Sequence, residues 1–456
     1  MSTRMPELRE LTDEADRLLM AHLSEVRDYT QAFHARAQEA GIVTIDGTGW
    51  AVRPMLLPAG RLRFVGTAFH RAMELLRRDI RALSADPGRL NECYPFGPAL
   101  GSALDVGAGC ESPFFHSHYR PDGFLFEDRY QLSEINFGNG ILVSIAYTEW
   151  TAQYWAGHPV LRRMGLHHAR YHPRPFQRYI AAVRRAARPV ERPTIAFLAH
   201  SAELAELRSF PERVFRQIDF GVQQFKAAGL SVRIVDETGI ALDSSGDPVF
   251  ASDGAAIDAV MLITVNTSFL DHPEHFAPGG PFHDFRGARI GNVAIVKPLA
   301  GLLMDKGALP RLGELGARRT MPDGFAFDVT HTEHPSRNLP GWYEDDQAGW
   351  VIKRAFDGKD THPGIARSPT EWLRRVSRAT RGPGYVAQRY VSLPKARIPV
   401  LVDGQHIEWV ESRVETSSFM IGGRNVGTGI RHAPDAEGHV MTDFPDGYGY
   451  TTALAL

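Results

Sequence analysis

Cysteine is nearly missing from this chain: Cys93 and Cys110 are the only two among 456 residues. A disulfide framework is thereby excluded as the basis of stability, and a reducing cytosol is the simplest setting. Long hydrophobic runs are missing too, since no stretch approaches the ~20 apolar residues that cross a bilayer. The opening "MSTRMPELRELTDEADRLLM" is acidic and amphipathic and lacks the apolar centre of a signal peptide. Neither sign of charge dominates: the formal net charge is -2, and no basic stripe marks a nucleic-acid surface. Internal repeats and low-complexity tracts are absent. The expectation left standing is a soluble, cytoplasmic protein that has neither nucleic acid nor a membrane as partner.

What is present is the balance of an ordinary globular protein, 43% hydrophobic and 23% charged, in a chain long enough for two or three domains. Residues 1–90 repeat apolar positions near the helical period, in "LRELTDEADRLLMAHLSEVRDYTQAFHARA" and "TAFHRAMELLRRDIRAL". Residues 91–150 are rich in glycine and aromatics, and "PFQRYIAAVRRAARP" reads as a basic helix with a solvated face. Then "TIAFLAH", "PERVFRQIDFGVQQFKAAGL", "SVRIVDE" and "AIDAVMLITV" read as strand, helix, strand and strand. That order implies a right-handed crossover and a parallel sheet. No G-x-G-x-x-G joins the first strand to its helix, so the dinucleotide fingerprint is missing.

Several short stretches carry polar groups suited to chemistry. In "YQLSEINFGNG" (130–140), Glu134 and Asn136 stand two apart on an alternating strand and share a face just before a glycine-rich turn. In "GWVIKRAFDGKDTHPG" (349–364), Lys353 sits on a short apolar strand ahead of Asp357 and a polar loop, an arrangement suited to gripping ATP phosphates. The segment "SPTEWLRRVSRA" carries a capping box, Ser368 with Glu371, and Pro369 at the first helical position. Beyond it come a strand in "GYVAQRYVS", a hairpin turning at Asp403-Gly404 and running to Glu411 and Glu415, and "GGRNVGTGIRHA" with Arg424 and Arg431.

This layout resembles an ATP-grasp domain, and the separated motifs resemble the circularly permuted ATP-grasp ligases related to eukaryotic-type glutathione synthetase and glutathionylspermidine synthetase. The resemblance spans roughly residues 110–140 and 290–435 and leaves the first hundred uncovered. It implies an α/β protein with an ATP-grasp fold, in three parts. Residues 1–190 are a helical and glycine-rich region that contributes metal and substrate residues. Residues 191–297 are a Rossmann-like central parallel-sheet domain, and residues 298–456 bind the nucleotide.

For the site, the resemblance implies magnesium ligands at Glu134, Asn136 and Asp357, and phosphate-binding lysines at Lys306 (in "PLAGLLMDKGAL") and Lys353. It places Gln388, Arg389 and Tyr390 near the adenine, the first two acting through backbone atoms, and Glu415 at the ribose or adenine. Arg431 falls to the arginine near the substrates, where it would stabilise the tetrahedral intermediate and the developing phosphate charge. Arg120, with Ser117 beside it, is the candidate grip on a substrate carboxylate. The implied activity is ATP-dependent joining of a small-molecule carboxylate to an amine through an acyl phosphate, with ATP and magnesium. A homodimer stays open.

The pattern is departed from in three places: Arg354 replaces a proline, the loop is "GKDTHPG" rather than a run of glycines, and Ala433 replaces a second basic residue. Two other readings stay open: a kinase or nucleotide-binding regulator on the same fold, and a methyltransferase suggested by "LDVGAGCE" (104–111). That second motif should follow a buried strand and open a helix, whereas "YPFGPALGSA" before it is turn-rich. The histidines His167, His168, His172, His331 and His334 read as solvated loop residues, and Trp150, Tyr154 and Trp155 as core.

Overall fold

The structure is a computed structural model that describes residues 5–40, 50–94, 104–115, 118–137, 140–166, 175–201, 204–205, 216–263, 273–335, 346–355, 361–381, 384–402, 404–435 and 449–456. Ser117, Asp357, His167, His168, His172 and Asp403 lie outside these residues. The architecture is mixed α/β. Seven strands bear on the site: β1 (His118–Leu125), β2 (Arg129–Asn136), β3 (Trp350–Arg354), β4 (Tyr385–Arg389), β5 (Lys395–Val402), β6 (His406–Ile421) and β7 (Arg424–Pro434).

The largest sheet has ten strands drawn from both ends of the chain. Its order is Arg319–Thr320, Ala326–Val329, β2, β1, β6, β7, Gly449–Ala455 and Met55–Leu57, with β5 and then Trp50–Ala51 added beside β6. The long β6 pairs with β5 through its first half and with β1 through its second. The hairpin expected between β5 and β6 is present, with Val402 opposite His406. Helix Ala59–Leu83 lies against this layer and buries Val65, Phe69, Leu76 and Ile80, the helical spacing visible in the sequence.

A second sheet holds the apolar runs "TIAFL", "AVML" and "VAIV". Thr194–Leu198 pairs in parallel with Ser231–Val235 and Ala259–Leu262, and the latter with Val293–Val296. Continuous apolar strands are what a parallel layer covered on both faces requires. Helix Arg216–Ala227 falls within the segment expected to form the crossover helix.

The third sheet, of four strands, is the smallest layer at the site. Its order is Thr332–Glu333, β4, β3 and Thr361–Pro363. Here the sequence expectation of a loop through "GKDTHPG" is corrected, because Thr361–Pro363 pairs antiparallel with β3. β-branched Thr361 suits a strand, and Pro363 is tolerated because the strand is an edge. Helix α1 (Pro369–Arg381) covers the outer face. The Ser368 half of its capping box is as read, the Glu371 amide donating to Ser368 Oγ at 3.3 Å, while the Glu371 carboxylate pairs with Arg367. Trp350, Ile352 and Ala387 of the sheet pack there against Trp372, Val376 and Ala379 of α1.

The segment "LDVGAGCE" forms a short helix, Val106–Glu111, capped by the Asp105 side chain accepting from the Ala108 amide at 2.9 Å. Gly109 is there for packing: a Cβ would come within 2.4 Å of the Ala300 Cβ. Ala300 belongs to the 3-10 run Leu299–Met304 that leads to Lys306, so this glycine seats the chain beneath the site. Among the histidines, His331 is exposed and bonds Glu333 at 2.6 Å, as a loop histidine would. His334 is buried, which corrects the solvated reading: strand Thr332–Glu333 pairs with β4 and carries it inward. Tyr154 and Trp155 are core as expected. No helix among the described residues is long and apolar enough to cross a membrane.

Candidate functional site

Alternation and register gather the site before any side-chain contact is considered. Along β2, Glu134 and Asn136 share a face, and the residues opposite them on β1 are Asp122 and Arg120. Asp122 in turn stands opposite Ser417 of β6. Two residues back along β6 is Glu415, opposite Arg431 of β7. Four adjacent strands thus present three carboxylates, an amide, a hydroxyl and two arginines on one face of the large sheet.

The four-stranded sheet supplies the facing wall. Lys353 stands opposite Val386, and Val351 opposite Gln388, so these four residues share one face. Their neighbours Ile352 and Ala387 pack on α1, which leaves Lys353 and Gln388 turned toward β2. Gln388 makes the link itself: its Nε2 donates to the Ser133 carbonyl at 2.9 Å and to Thr332 Oγ1 at 3.1 Å. Lys306 enters from a 3-10 turn, Lys306–Ala308, capped by Asp305, whose side chain accepts from the Lys306 amide at 2.8 Å. The Gly307 amide donates to the Ala355 carbonyl at 3.2 Å and ties this turn to the end of β3. Gly301 allows the remaining approach, since a Cβ there would meet the Phe137 ring at 2.5 Å, one residue past β2.

Within this space Lys306 Nζ donates to Glu134 Oε1 at 3.1 Å, both residues buried. Asp122 is fully buried and accepts from Arg120 at 2.8 Å, Asn136 at 2.9 Å and Arg431 at 3.0 Å. Arg431 also contacts Glu415. Lys353 is 7% exposed, yet among the described residues no carboxylate lies within ion-pair distance of its ammonium. Among the described residues the cluster therefore holds four cations, Lys306, Lys353, Arg120 and Arg431, against three carboxylates, Asp122, Glu134 and Glu415.

The protonation states follow from this crowding. Burial alone would raise the Glu134 carboxyl, but Lys306, and then Lys353, Arg431 and Arg120, hold it down at about 2. Burial pushes Glu415 up to about 7; Arg431 opposes this, while the charges on Asp122 and Glu134 add to it. One guanidinium shared between Asp122 and Glu415 cannot neutralise both. Burial lowers Lys353 below the ordinary lysine value, and Glu134 only partly offsets that. Such a face can take up an anion with several charges, and it sets two hard oxygen donors, Glu134 and Asn136, side by side.

Of the sequence candidates, Lys306, Lys353, Glu134, Asn136, Arg120, Glu415 and Arg431 meet here. Gln388 lies at the rim, with its side chain engaged by the Ser133 carbonyl and Thr332. Arg389 points away: it lies 4.3 Å over the Trp350 ring and pairs with Asp346. Strand alternation forces this, since Arg389 follows Gln388 directly. Tyr390 is half-buried and hydrogen-bonds through its amide to the Gly349 carbonyl at 2.8 Å. Sequence reasoning missed Asp122 and Ser417. The signal for Asp122 was its place two residues past Arg120, the same i, i+2 spacing that singled out Glu134 and Asn136. Ser417 is fully buried, with no hydrogen-bond partner for its hydroxyl among the described residues, on the site face.

Replacing Gln388 by leucine removes both donors to β2 and the Thr332 strand. We expect a loss of about 1–3 kcal/mol, because a buried carbonyl is left without its partner. Denaturant unfolding measures it; an unchanged midpoint would rule out the link between the two sheets.

No protein-family model matches this sequence, and no curated protein is significantly similar to it. Among solved structures the chain is similar to a glutathione synthetase-like effector from Globodera pallida in its apo form. The TM-score is 0.57 at 12% identity, covering 96% of this chain and 97% of that one. At that identity the likeness shows a shared fold. Two others overlap less: a candidate gamma-glutamylcysteine synthetase from Methylobacillus flagellatus, with TM-score 0.34, 10% identity and coverage of 81% and 85%; and D-alanyl-alanine synthetase A from Vibrio cholerae, with TM-score 0.30, 11% identity and coverage of 59% and 75%.

Proposed function

We propose that this chain is an ATP-dependent carboxylate–amine ligase of the ATP-grasp type, acting on an amino acid or another small carboxylic acid. The observation that carries this reading is Lys353: a buried ammonium that no carboxylate among the described residues pairs, beside a second lysine and two arginines. Burying such a charge costs several kcal/mol unless an anion meets it, and a nucleotide triphosphate is such an anion. The sheet of parallel strands that includes Thr194–Leu198 and Ala259–Leu262 we read as the Rossmann-like unit of this architecture, and the cytoplasm as the setting.

In this reading Lys353 and Lys306 hold phosphate oxygens and align the terminal phosphoryl group with the substrate carboxylate. The donor set fits magnesium, which takes hard oxygens and keeps several waters. Glu134 and Asn136 would hold it, with Asp357 assigned from its place four residues past Lys353. The metal, when bound, neutralises phosphate charge. Glu134, kept ionised by its neighbours, is ready to bind a cation without first losing a proton. Asp122 fixes Arg120 and Arg431 in place. Arg120 then orients a carboxylate, and Arg431 stabilises the negative charge that develops when the amine attacks the acyl phosphate. Gln388 keeps the four-stranded sheet on β2, excluding water from Lys353.

The test is ADP release with magnesium-ATP across amino acids and polyamines, with hydroxylamine as a trap for the acyl phosphate. We expect ADP to form only when a carboxylate and an amine are both present, and a hydroxamate to accumulate with the trap. ADP at full rate with no amine favours the kinase reading. Release with neither substrate nor trap dependence removes ligation.

A further inference from the structure

The outer face of the four-stranded sheet carries a second, separate concentration of positive charge. A cavity of about 560 Å³ is lined by Arg354, Arg374, Ser377, Arg378, Arg381 and Tyr385. Arg354 follows Lys353 on β3, so alternation turns it to the opposite side of the sheet, toward α1. Arg354 and Tyr385 are register partners on β3 and β4 and form the floor. Arg374, Ser377, Arg378 and Arg381 follow one another at helical spacing along one face of α1 and form the wall. The Arg378 guanidinium lies 6.0 Å from the centre of the Tyr385 ring.

No carboxylate is among the described residues that line the cavity. The only acid on α1, Glu371, is at the other end and pairs with Arg367 at 3.1 Å. The helix C-terminus favours cations in its last turn, which accounts for Arg378 and Arg381 but not for Arg374. The guanidiniums of Arg374, Arg378 and Arg381, gathered along one helix face, repel one another, in a chain whose net charge is -2. Guanidinium forks match phosphate oxygens in pairs, and a hydroxyl adds one more donor.

We propose that this cavity binds a small anion bearing two or more phosphates, at a site separate from the Lys306–Lys353 face. The volume is in the range of small-molecule sites and the concavity opens to solvent, so a small soluble polyphosphate can reach the guanidiniums directly. Binding here bears on the strands that hold Lys353, because Arg354 and Tyr385 lie next to Lys353 and Val386 along β3 and β4.

The test uses inorganic pyrophosphate, titrated calorimetrically into the full chain. Wild-type protein should bind it saturably. Charge reversal by Arg374→Glu with Arg378→Glu should weaken binding roughly tenfold or more, since two charge-assisted contacts are lost. Arg374→Lys with Arg378→Lys keeps the charge, loses the forks, and should fall between. Any pyrophosphate held by Lys306 and Lys353 is common to all three proteins, so the difference between them reports the cavity. Equal affinity in the wild type and the charge-reversed protein overturns the proposal. Should the reversed protein unfold at a lower temperature, Arg381→Gln is read in its place. Weakened binding by that variant supports the site, and unchanged binding counts against it.

Discussion

Lys353→Met is expected to cut ATP turnover about a hundredfold or more, on the scale of losing one preorganised transition-state donor. It should do so without destabilising the protein. Methionine fills the volume of the lysine stem, and the substitution removes a buried charge that no described carboxylate pairs. The pH dependence has a definite sign. Burial lowers the Lys353 pKa below its ordinary 10.5, so the folded state carries a penalty for the ammonium at neutral pH, and that penalty fades as pH rises toward 10.5. The variant should therefore be as stable as wild type or more so at pH 7, with any gain shrinking in alkali. Turnover assays and denaturant unfolding at two pH values check both parts. Wild-type turnover would remove Lys353 from the phosphate grip, and a large stability loss would make it structural.

Asp122→Ala is expected to do the reverse, failing first in stability. Asp122 is fully buried and accepts from Arg120, Asn136 and Arg431 at 2.8 to 3.0 Å. Its removal leaves two guanidiniums without their shared anion in a buried, cation-rich cluster. Breaking a buried ion pair from one side costs about 3–5 kcal/mol. Asp122→Asn retains an acceptor and should recover part of that loss. Chemical denaturation of both variants measures it, and a loss below about 1 kcal/mol for alanine, within the range of a surface pair, would show that Asp122 does not organise the cluster. The Glu415 carboxyl reports the same event: with the Asp122 charge gone, its pKa should fall from about 7.

Local rules written in the sequence decided much of the fold. The spacing of apolar residues fixed helix Ala59–Leu83, the run of buried aliphatics fixed the parallel strands, and Ser368 with Pro369 fixed where α1 begins. Each depends on neighbours a few residues away, so each can be read from a short window. The facing of Glu134 and Asn136 was equally local, since the pleat of a strand determines it. What no window contains is the pairing of β1 with β6 and of β6 with β7. That register set Asp122 against Ser417 and Glu415 against Arg431, and so turned isolated polar residues into one charged face. Alternation along β3 and β4 could be counted in advance, but only packing on α1 decided which side was inward. It put Lys353 and Gln388 toward β2, and Arg354 and Arg389 on the other side. The sequence by itself determined which residues could carry charge and share a strand face. The tertiary structure decided which charges meet and which stay unpaired, because electrostatic energy depends on distances and burial that only the assembled sheets define.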